Sequence, residues 1–340
     1  MAVLFVEATE REHILITEPI ARVGVDLLRR ELPEARIDER FGLEPAQLRA
    51  LIGNSTALIV RSQTQVTDDL LAAAPRLRVI GRAGSGVDNI DLDAAFRRRV
   101  LVVYAPKGNV VAVAEHAIAL LLALVRHLPA ATAGLKAGRW EKRRLVGMEL
   151  ANKTLGILGL GRIGREVALR AQAFAMQVLA YDPVVSAEQA RRVGVTLLGK
   201  EEVLRQADIV TLHAAPAGGR QAMRPIMGAW ELALLRPGAF LVNCSRGGLL
   251  DEAALLDALE QGRVAGVALD VFSQEPVGDD PVLGRLLSHE RVLATPHLGA
   301  STREAQARVA LEVARHVISA LRGDTLVGAL PPSYPLARPA

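Results

Sequence analysis

Short apolar runs recur along this chain, each closed by a glycine, a proline or a charged residue and followed by an amphipathic stretch. HILIT (13–17) predicts a strand, and residues 20–32 predict a helix that Pro33 stops. ALIV (57–60) predicts a second strand ending at Arg61, with a helix over 67–74 closed by Pro75. RVI (78–80) runs into GRAGSGVDN, residues 92–98 read as a helix, and VLVV (100–103) follows as a strand. Residues 110–128 predict one long helix, and 153–183 read as strand, glycine turn, helix and strand. Further strands are predicted at 208–213, 239–243, 264–272 and 292–296, and 302–323 is an amphipathic helix closed by Gly323. In VNCSRGGLLDE (242–252), Val-Asn ends one of these strands and Leu-Leu-Asp-Glu enters a helix. Strands alternating with helices imply parallel sheets covered on both faces.

Composition narrows the classes. At 340 residues, half of them apolar, the chain has room for two ordinary domains, and no internal repeat is visible. The longest apolar run, AIALLLALV (117–125), is far short of a membrane span, so no membrane partner is expected. The start, MAVLFVEATERE, has no basic segment and turns acidic at once, the mark of neither a secretory signal nor a transit peptide. The single cysteine, Cys244, excludes an internal disulfide and suits a reducing compartment, so a cytoplasmic protein is expected. Net charge is 41 − 37 = +4, no basic run exceeds three residues, and aromatics are 3%. A nucleic-acid partner would need a basic stripe or stacking aromatics, and neither is present.

Gly159-Leu160-Gly161-Arg162-Ile163-Gly164 is a G-x-G-x-x-G that follows an apolar strand and opens a helix. Gly159 permits the tight turn, Gly161 the approach of backbone to phosphates, and Gly164 the close packing of helix on strand. The helix N-terminus supplies N–H groups and a positive dipole for a pyrophosphate. Asp182, eighteen positions after Gly164, suits the ribose hydroxyls and would repel a 2′-phosphate, which favours NAD over NADP. A dinucleotide domain usually opens a chain, whereas this one starts near residue 105. The expected organisation is therefore an α/β protein of two doubly wound parallel sheets. A Rossmann domain (105–298) is inserted into a first domain made of 1–104 and the returning helix at 299–329, and a loose tail follows at 330–340.

Arg246 sits at the carboxyl end of a predicted strand of the nucleotide domain, where ligands lie in open α/β sheets. Its fork would clamp a carboxylate and polarise a neighbouring carbonyl. Taken alone, it also reads as a loop arginine paired with an acid such as Asp251. Glu275 in DVFSQEP and His297 in TPHLGAST each follow a predicted strand as well. A histidine held by a carboxylate is suited to exchange a proton with a substrate hydroxyl. Cys244 as a nucleophile is the competing reading of that loop, and no base stands near it in the sequence.

GRAGSGVDNID (81–91), GNVVAVAEHAIALLLALVR (108–126), GRWEKRRLVGMELANKTLGILGLGRIGREVA (138–168), VNCSRGGLLDE (242–252), ALDVFSQEP (268–276) and TPHLGAST (295–302) together resemble the D-isomer-specific 2-hydroxyacid dehydrogenase family, most closely its phosphoglycerate dehydrogenase branch. The resemblance spans most of 13–328. It implies that Arg246, Glu275 and His297 are the catalytic set and that the first domain is flavodoxin-like and binds substrate. The NAD contacts it implies are Ser85, Arg162, Ile163, Asp182, Ala214, Cys244, Ser245, Arg246, Asp270, His297, Leu298, Gly299 and Ala300. It further implies that the N–H groups of Gly84-Ser85-Gly86 hold the substrate carboxylate and that Arg246 fixes the carboxylate and the C2 oxygen. His297 would remove the hydroxyl proton as the C2 hydride leaves, with Glu275 stabilising the imidazolium. No metal is implied. A homodimer, or a dimer of dimers, built partly on an arm around 110–145 is. Residues 213–225 depart from the family pattern and are longer, and feedback by serine through a regulatory serine-binding domain after Leu330 is not expected.

The leading expected activity is oxidation of D-3-phosphoglycerate to 3-phosphohydroxypyruvate in serine synthesis. A glyoxylate or hydroxypyruvate reductase is the alternative within the family, and an NAD-sensing scaffold like the transcriptional corepressors is the alternative of another class. A phosphorylated substrate needs a cation. Arg61 ends its strand and Arg82 precedes the Gly84 loop, so both are expected on the substrate side, with Arg61 reading the phosphate, aided by Arg139 or Lys142 of a second subunit.

Overall fold

The computed structural model describes residues 11–214 and 224–324, so the middle of the atypical 213–225 stretch and the tail after 330 lie outside the described residues. The chain divides into two compact units. Among the described residues, those up to Asn109 together with those from Thr302 onward form the first, and Val110–Ser301 form the second.

The first unit runs β1 (His13–Ile16), α1 (Arg22–Glu31), β2 (Arg36–Glu39), α2 (Pro45–Leu51), β3 (Ala57–Val60), α3 (Asp68–Ala72), β4 (Val79–Arg82), α4 (Leu92–Arg97) and β5 (Leu101–Tyr104). Its strands pair in the order β2-β1-β3-β4-β5, all parallel. That is the flavodoxin-like order. β3 is buried along its whole length, as a central strand covered on both faces must be, which is why ALIV is apolar without alternation. β2, with the sequence RIDE, is an edge strand. Charge is tolerated there, and it deters pairing with other chains.

The second unit begins with α5 (Val110–Val125) and α6 (Leu128–Lys136) and continues through β6 (Thr154–Leu158), α7 (Arg162–Ala173), β7 (Gln177–Tyr181), α8 (Ala187–Arg191), β8 (Thr196–Leu197), α9 (Lys200–Gln206) and β9 (Ile209–Leu212). Then come α10 (Ala229–Leu234), β10 (Ala239–Asn243), α11 (Glu252–Glu260), β11 (Val264–Leu269), α12 (Pro281–Ser288) and β12 (Val292–Ala294). The sheet order is β12-β11-β10-β9-β6-β7-β8, again all parallel. Counted from β6, this is the Rossmann order 3-2-1-4-5-6 with one strand added. The two doubly wound sheets expected from the sequence are both present.

α5 buries nine of its sixteen residues against α7, β10 and β11 and leaves Val111, Glu115 and Ala119 exposed along one stripe. The helix expected over 110–128 ends at Val125, and a second helix, α6, starts at Leu128. His127 takes a left-handed conformation (φ 52°), and Pro129 sits in the first turn of α6, where its missing N–H is harmless. Among the described residues, no single helix is long and apolar enough to cross a membrane.

The last helix, α13 (Arg303–Arg322), belongs to the first unit. Thr302 caps its N-terminus by accepting the Ala305 N–H (3.1 Å), and Gly323 (φ 77°) ends it. Its buried side chains, Ala310, Val313, Ala314, Val317, Ile318 and Leu321, recur every three or four residues. They meet β4 and α1 where both carry glycine. A Cβ on Gly81 would stand 2.6 Å from Val317 Cγ2, and one on Gly24 would stand 2.7 Å from the Ala310 carbonyl oxygen.

Candidate active site

The order of the second sheet reverses between β6 and β9, and the glycine motif leaves β6 at that point. Gly159 (φ 101°) turns the chain against the end of β9, where a Cβ would stand 2.4 Å from the Ala214 nitrogen. A Cβ on Gly164 would lie 2.2 Å from the Gly159 carbonyl oxygen. At Gly161 a Cβ would meet nothing within 4 Å, so the α7 N-terminus faces the open space that a pyrophosphate requires. Arg162 and Ile163 form the first turn of α7. Asp182 follows β7, and its carboxylate accepts the Leu160 N–H (2.8 Å) and those of Val184 (2.9 Å) and Val185 (3.1 Å). It therefore braces the glycine turn from the ribose side. These residues fit NAD.

Arg246 follows β10 on a loop tied down by the fully buried Asn243, a residue with no sequence signal to single it out. Asn243 Nδ2 donates to the Arg246 carbonyl (2.9 Å), and Asn243 Oδ1 accepts the Ser245 N–H (3.0 Å). Ser245 Oγ donates to the Ala214 carbonyl (2.8 Å), which joins this loop to the end of β9. Arg246 itself is half-buried, and its guanidinium donates to the Ser245 carbonyl (2.7 Å). Cys244 is buried, and burial, reinforced by the charge of Asp270, pushes its thiol pKa up. It stays a thiol, which removes the nucleophile reading.

Gly247 brings Arg246 to the segment after β11. The place of its absent Cβ lies 1.8 Å from the Phe272 carbonyl carbon, so only glycine permits this approach. Three residues further on, Glu275 Oε1 accepts the Phe272 N–H (2.9 Å), and Glu275 Oε2 lies 2.7 Å from His297 Nδ1. Glu252, at the start of α11, accepts the Ser273 N–H (2.8 Å) and its hydroxyl. Burial, with Asp280 and Asp251 nearby, raises the pKa of Glu252 despite those two bonds.

His297 has φ 52°, uncommon for a residue with a side chain, and two backbone bonds hold it there. Its N–H reaches the carbonyls of Asp270 (2.9 Å) and Thr295 (3.0 Å). With Glu275 on Nδ1 and the side chain 45% exposed, the imidazole directs Nε2 outward. Asp270, read from sequence as an NAD contact, lies beneath this loop with its side chain 1% exposed. Its oxygens accept from Thr295 Oγ1 (2.6 Å), Leu298 N (2.7 Å) and Gly299 N (2.8 Å), and His116 Nε2 lies 3.1 Å away. Burial alone would raise the carboxyl, but the bonds from His116, Thr295 and Leu298 outweigh it and hold Asp270 below the usual range. Ala300 and Leu298 remain at the surface of the same loop.

Most of the remaining expected residues lie in the first unit. Arg82 Nη1 donates to the Ala83 carbonyl (3.1 Å) and covers Gly84, where a Cβ would meet that guanidinium nitrogen. Ser85 Oγ accepts from Asn109 Nδ2 (3.1 Å), and Gly86 follows it. Arg61 directly follows β3, with its guanidinium on the Pro19 carbonyl (3.2 Å). In the second unit, Arg139 pairs with Glu141 (3.0 Å), and Lys142 lies exposed in the turn beyond it.

Residues 118–299 match the family described as D-isomer specific 2-hydroxyacid dehydrogenase, NAD binding domain. The chain is 42% identical over 322 residues to a D-3-phosphoglycerate dehydrogenase of Synechocystis sp., covering 95% of this chain and 56% of that one. It is 47% identical over 274 residues to a D-3-phosphoglycerate dehydrogenase of Bacillus subtilis, covering 81% and 51%. This chain thus spans about half the length of those relatives. Among solved structures, a glyoxylate reductase from Paecilomyes thermophila superposes with a TM-score of 0.84 at 30% identity, over 95% of this chain and 99% of that one. An NAD-type Rossmann sheet with an open glycine turn at its switch point, in a chain so matched, leads to one conclusion: this chain belongs to the D-isomer specific 2-hydroxyacid dehydrogenase family, and NAD is its cofactor.

Proposed function

We propose that this chain oxidises D-3-phosphoglycerate at C2 to 3-phosphohydroxypyruvate, the step that opens serine synthesis, in a cytoplasmic setting. The observation that carries the reading is the 2.7 Å pairing of His297 with Glu275, beside the Arg246 loop at the carboxyl edge of an NAD-binding sheet. Held along the glycine turn by Gly159–Gly164 and Asp182, NAD would supply the acceptor for the C2 hydride. His297 Nε2 accepts the C2 hydroxyl proton, and Glu275 holds the ring in place and stabilises the cation that forms. Arg246 holds the carboxylate and the C2 oxygen by paired, charge-assisted bonds. In the first unit, the N–H groups of Gly84-Ser85-Gly86 receive the carboxylate, and Arg61 receives the phosphate with Arg82 nearby. Ala214, Cys244, Ser245 and Leu298–Ala300 would supply further contacts to NAD.

A second reading, reduction of glyoxylate or hydroxypyruvate, is favoured by the likeness to a glyoxylate reductase. The purified chain assayed with NADH and a panel of 2-oxo acids separates the two. Under the phosphoglycerate reading, kcat/KM for 3-phosphohydroxypyruvate exceeds that for hydroxypyruvate and glyoxylate. Equal or greater use of the smaller acids assigns the reductase, and no turnover on any of them assigns the NAD-sensing scaffold.

The chain also acts as a homodimer in this proposal. Leu135, Trp140 and Val146 are 60%, 82% and 78% exposed on and just after α6, an apolar surface suited to a second copy. Sedimentation of the wild type against Trp140→Glu tests it, with monomerisation of the variant expected.

A further inference from the structure

Glu18 lies just beyond β1 and is 6% exposed, although no cation pairs with it among the described residues. What it meets is backbone. Oε1 accepts the N–H groups of Arg61 (2.8 Å) and Thr64 (2.9 Å), and Oε2 accepts those of Ser62 (3.1 Å) and Gln63 (3.0 Å). Four consecutive amides after β3 thus converge on one carboxylate, as they would on a bound anion. Burial works against the charge, yet the bonds from Thr64, Gln63 and Arg61 prevail and lower the carboxyl's pKa. The carbonyls of the same turn are held from the other side. Asn89, 8% exposed and in the GVDNID stretch, donates from Nδ2 to the carbonyls of Arg61 (3.0 Å) and Thr64 (2.7 Å). Pro19, next to Glu18, supplies the carbonyl on which the Arg61 guanidinium rests.

A turn whose donors and acceptors are both satisfied by buried side chains from elsewhere in the chain has one conformation, and Arg61 is its first residue. We propose that Glu18 and Asn89 are positioning residues which fix the 61–64 turn so that Arg61 meets the substrate's phosphate. The inference rests on the phosphate reading given above for Arg61. The geometry makes Glu18 a resident anion. It saturates the turn's own anion-binding amides and leaves the arginine side chain as the group that faces an incoming phosphate.

The test uses the whole chain with NADH and compares 3-phosphohydroxypyruvate with hydroxypyruvate. Glu18→Gln replaces one carboxylate oxygen by an NH2 group, so two of the four amides lose their acceptor whichever way the amide turns. Expected is a rise of about tenfold or more in KM for the phosphorylated acid, with kcat and the KM for hydroxypyruvate within about twofold and NADH affinity unchanged. Glu18→Asp should recover part of the loss. In an Arg61→Ala background, Glu18→Gln should add less than about twofold, because its route of action is already gone. Should Glu18→Gln not fold, Asn89→Ala reads the same turn from its carbonyl side and must show the same selective rise. An equal rise for both acids, or an unchanged KM in a folded variant, overturns the positioning role. The Arg61→Ala single variant tests the underlying reading separately. If it raises the two KM values equally, the phosphate assignment fails. If it is selective while Glu18→Gln is not, only the positioning role fails.

Discussion

Gly247 and Phe272 approach so closely that a methyl group on Gly247 would stand 1.8 Å from the Phe272 carbonyl carbon. The Arg246 loop and the Phe272–Glu275 segment are thereby set against each other backbone to backbone, with no side chain between them to yield. Gly247→Ala is expected to force them apart. Overpacking of this kind destabilises by about 1–3 kcal/mol, and kcat/KM should fall at least about tenfold through the displaced arginine. Thermal melts and steady-state kinetics check both, and wild-type turnover in the variant would mean the approach is dispensable.

Arg246→Gln, Glu275→Gln and His297→Ala should each stay folded and still bind NADH while reducing kcat/KM. Loss of a positioned proton-transfer group is expected to cost on the order of 10²–10⁴-fold for His297. Glu275→Gln keeps an acceptor for the Phe272 N–H but not the charge beside the imidazole, so its loss should be smaller. Near-wild-type turnover at saturating cofactor in any of the three removes that residue from the catalytic set.

Asp182 should set a preference for NADH over NADPH, since a 2′-phosphate would meet its carboxylate. The same carboxylate accepts the Leu160 N–H inside the glycine turn (2.8 Å), so its loss also loosens the pyrophosphate cradle. Asp182→Ala is therefore expected to weaken NADH binding while narrowing the gap to NADPH. Fluorescence titration of both cofactors reads this, and an unaltered cofactor ratio would exclude Asp182 as the discriminator.

His213 supplies a pH-dependent term in stability. It is buried at the end of β9, Nε2 lies 2.9 Å from Thr211 Oγ1, Nδ1 has no hydrogen-bond partner among the described residues, and burial lowers its pKa to about 4. Between the ordinary histidine value and about 4, the unfolded chain binds a proton that the folded chain refuses, so stability falls as pH falls through that window. The cost at the acid end is on the order of 3 kcal/mol. In His213→Gln, the decline in Tm between pH 6.5 and 4.5 should be shallower than in the wild type. Parallel declines would place the acid sensitivity elsewhere.

The strands with continuous apolar runs, such as ALIV and TLGIL, were legible because burial on both faces writes itself into every position. RIDE was not, because an edge strand tolerates charge, and α2 was too short to show a period. The break at His127 had one local sign, Pro129, which reads equally as the end of a helix and the start of another. In the site, the glycine motif, Arg246, Glu275 and His297 could be seen because each follows a strand. Glu18 and Asn89 could not, since their bonds join residues 25 to 46 positions apart. Asp270 shows a further limit: nothing in the sequence around it indicated that its carboxylate holds Thr295, Leu298 and Gly299.

The return of α13 to β4 and α1 also has a consequence in time. As the chain leaves the ribosome, the residues up to Asn109 emerge well before the helix that begins at Arg303. At about 5–20 residues per second, that interval is roughly 10–40 s. Throughout it the groove formed by Gly24 and Gly81, shaped to admit a helix backbone, has nothing in it. The sheet must wait with the part of one apolar face that α1 leaves uncovered bare while the entire second unit is made. A nascent chain stalled before residue 303 should consequently present that face to holdase chaperones, and a circular permutant that begins at Thr302 should not.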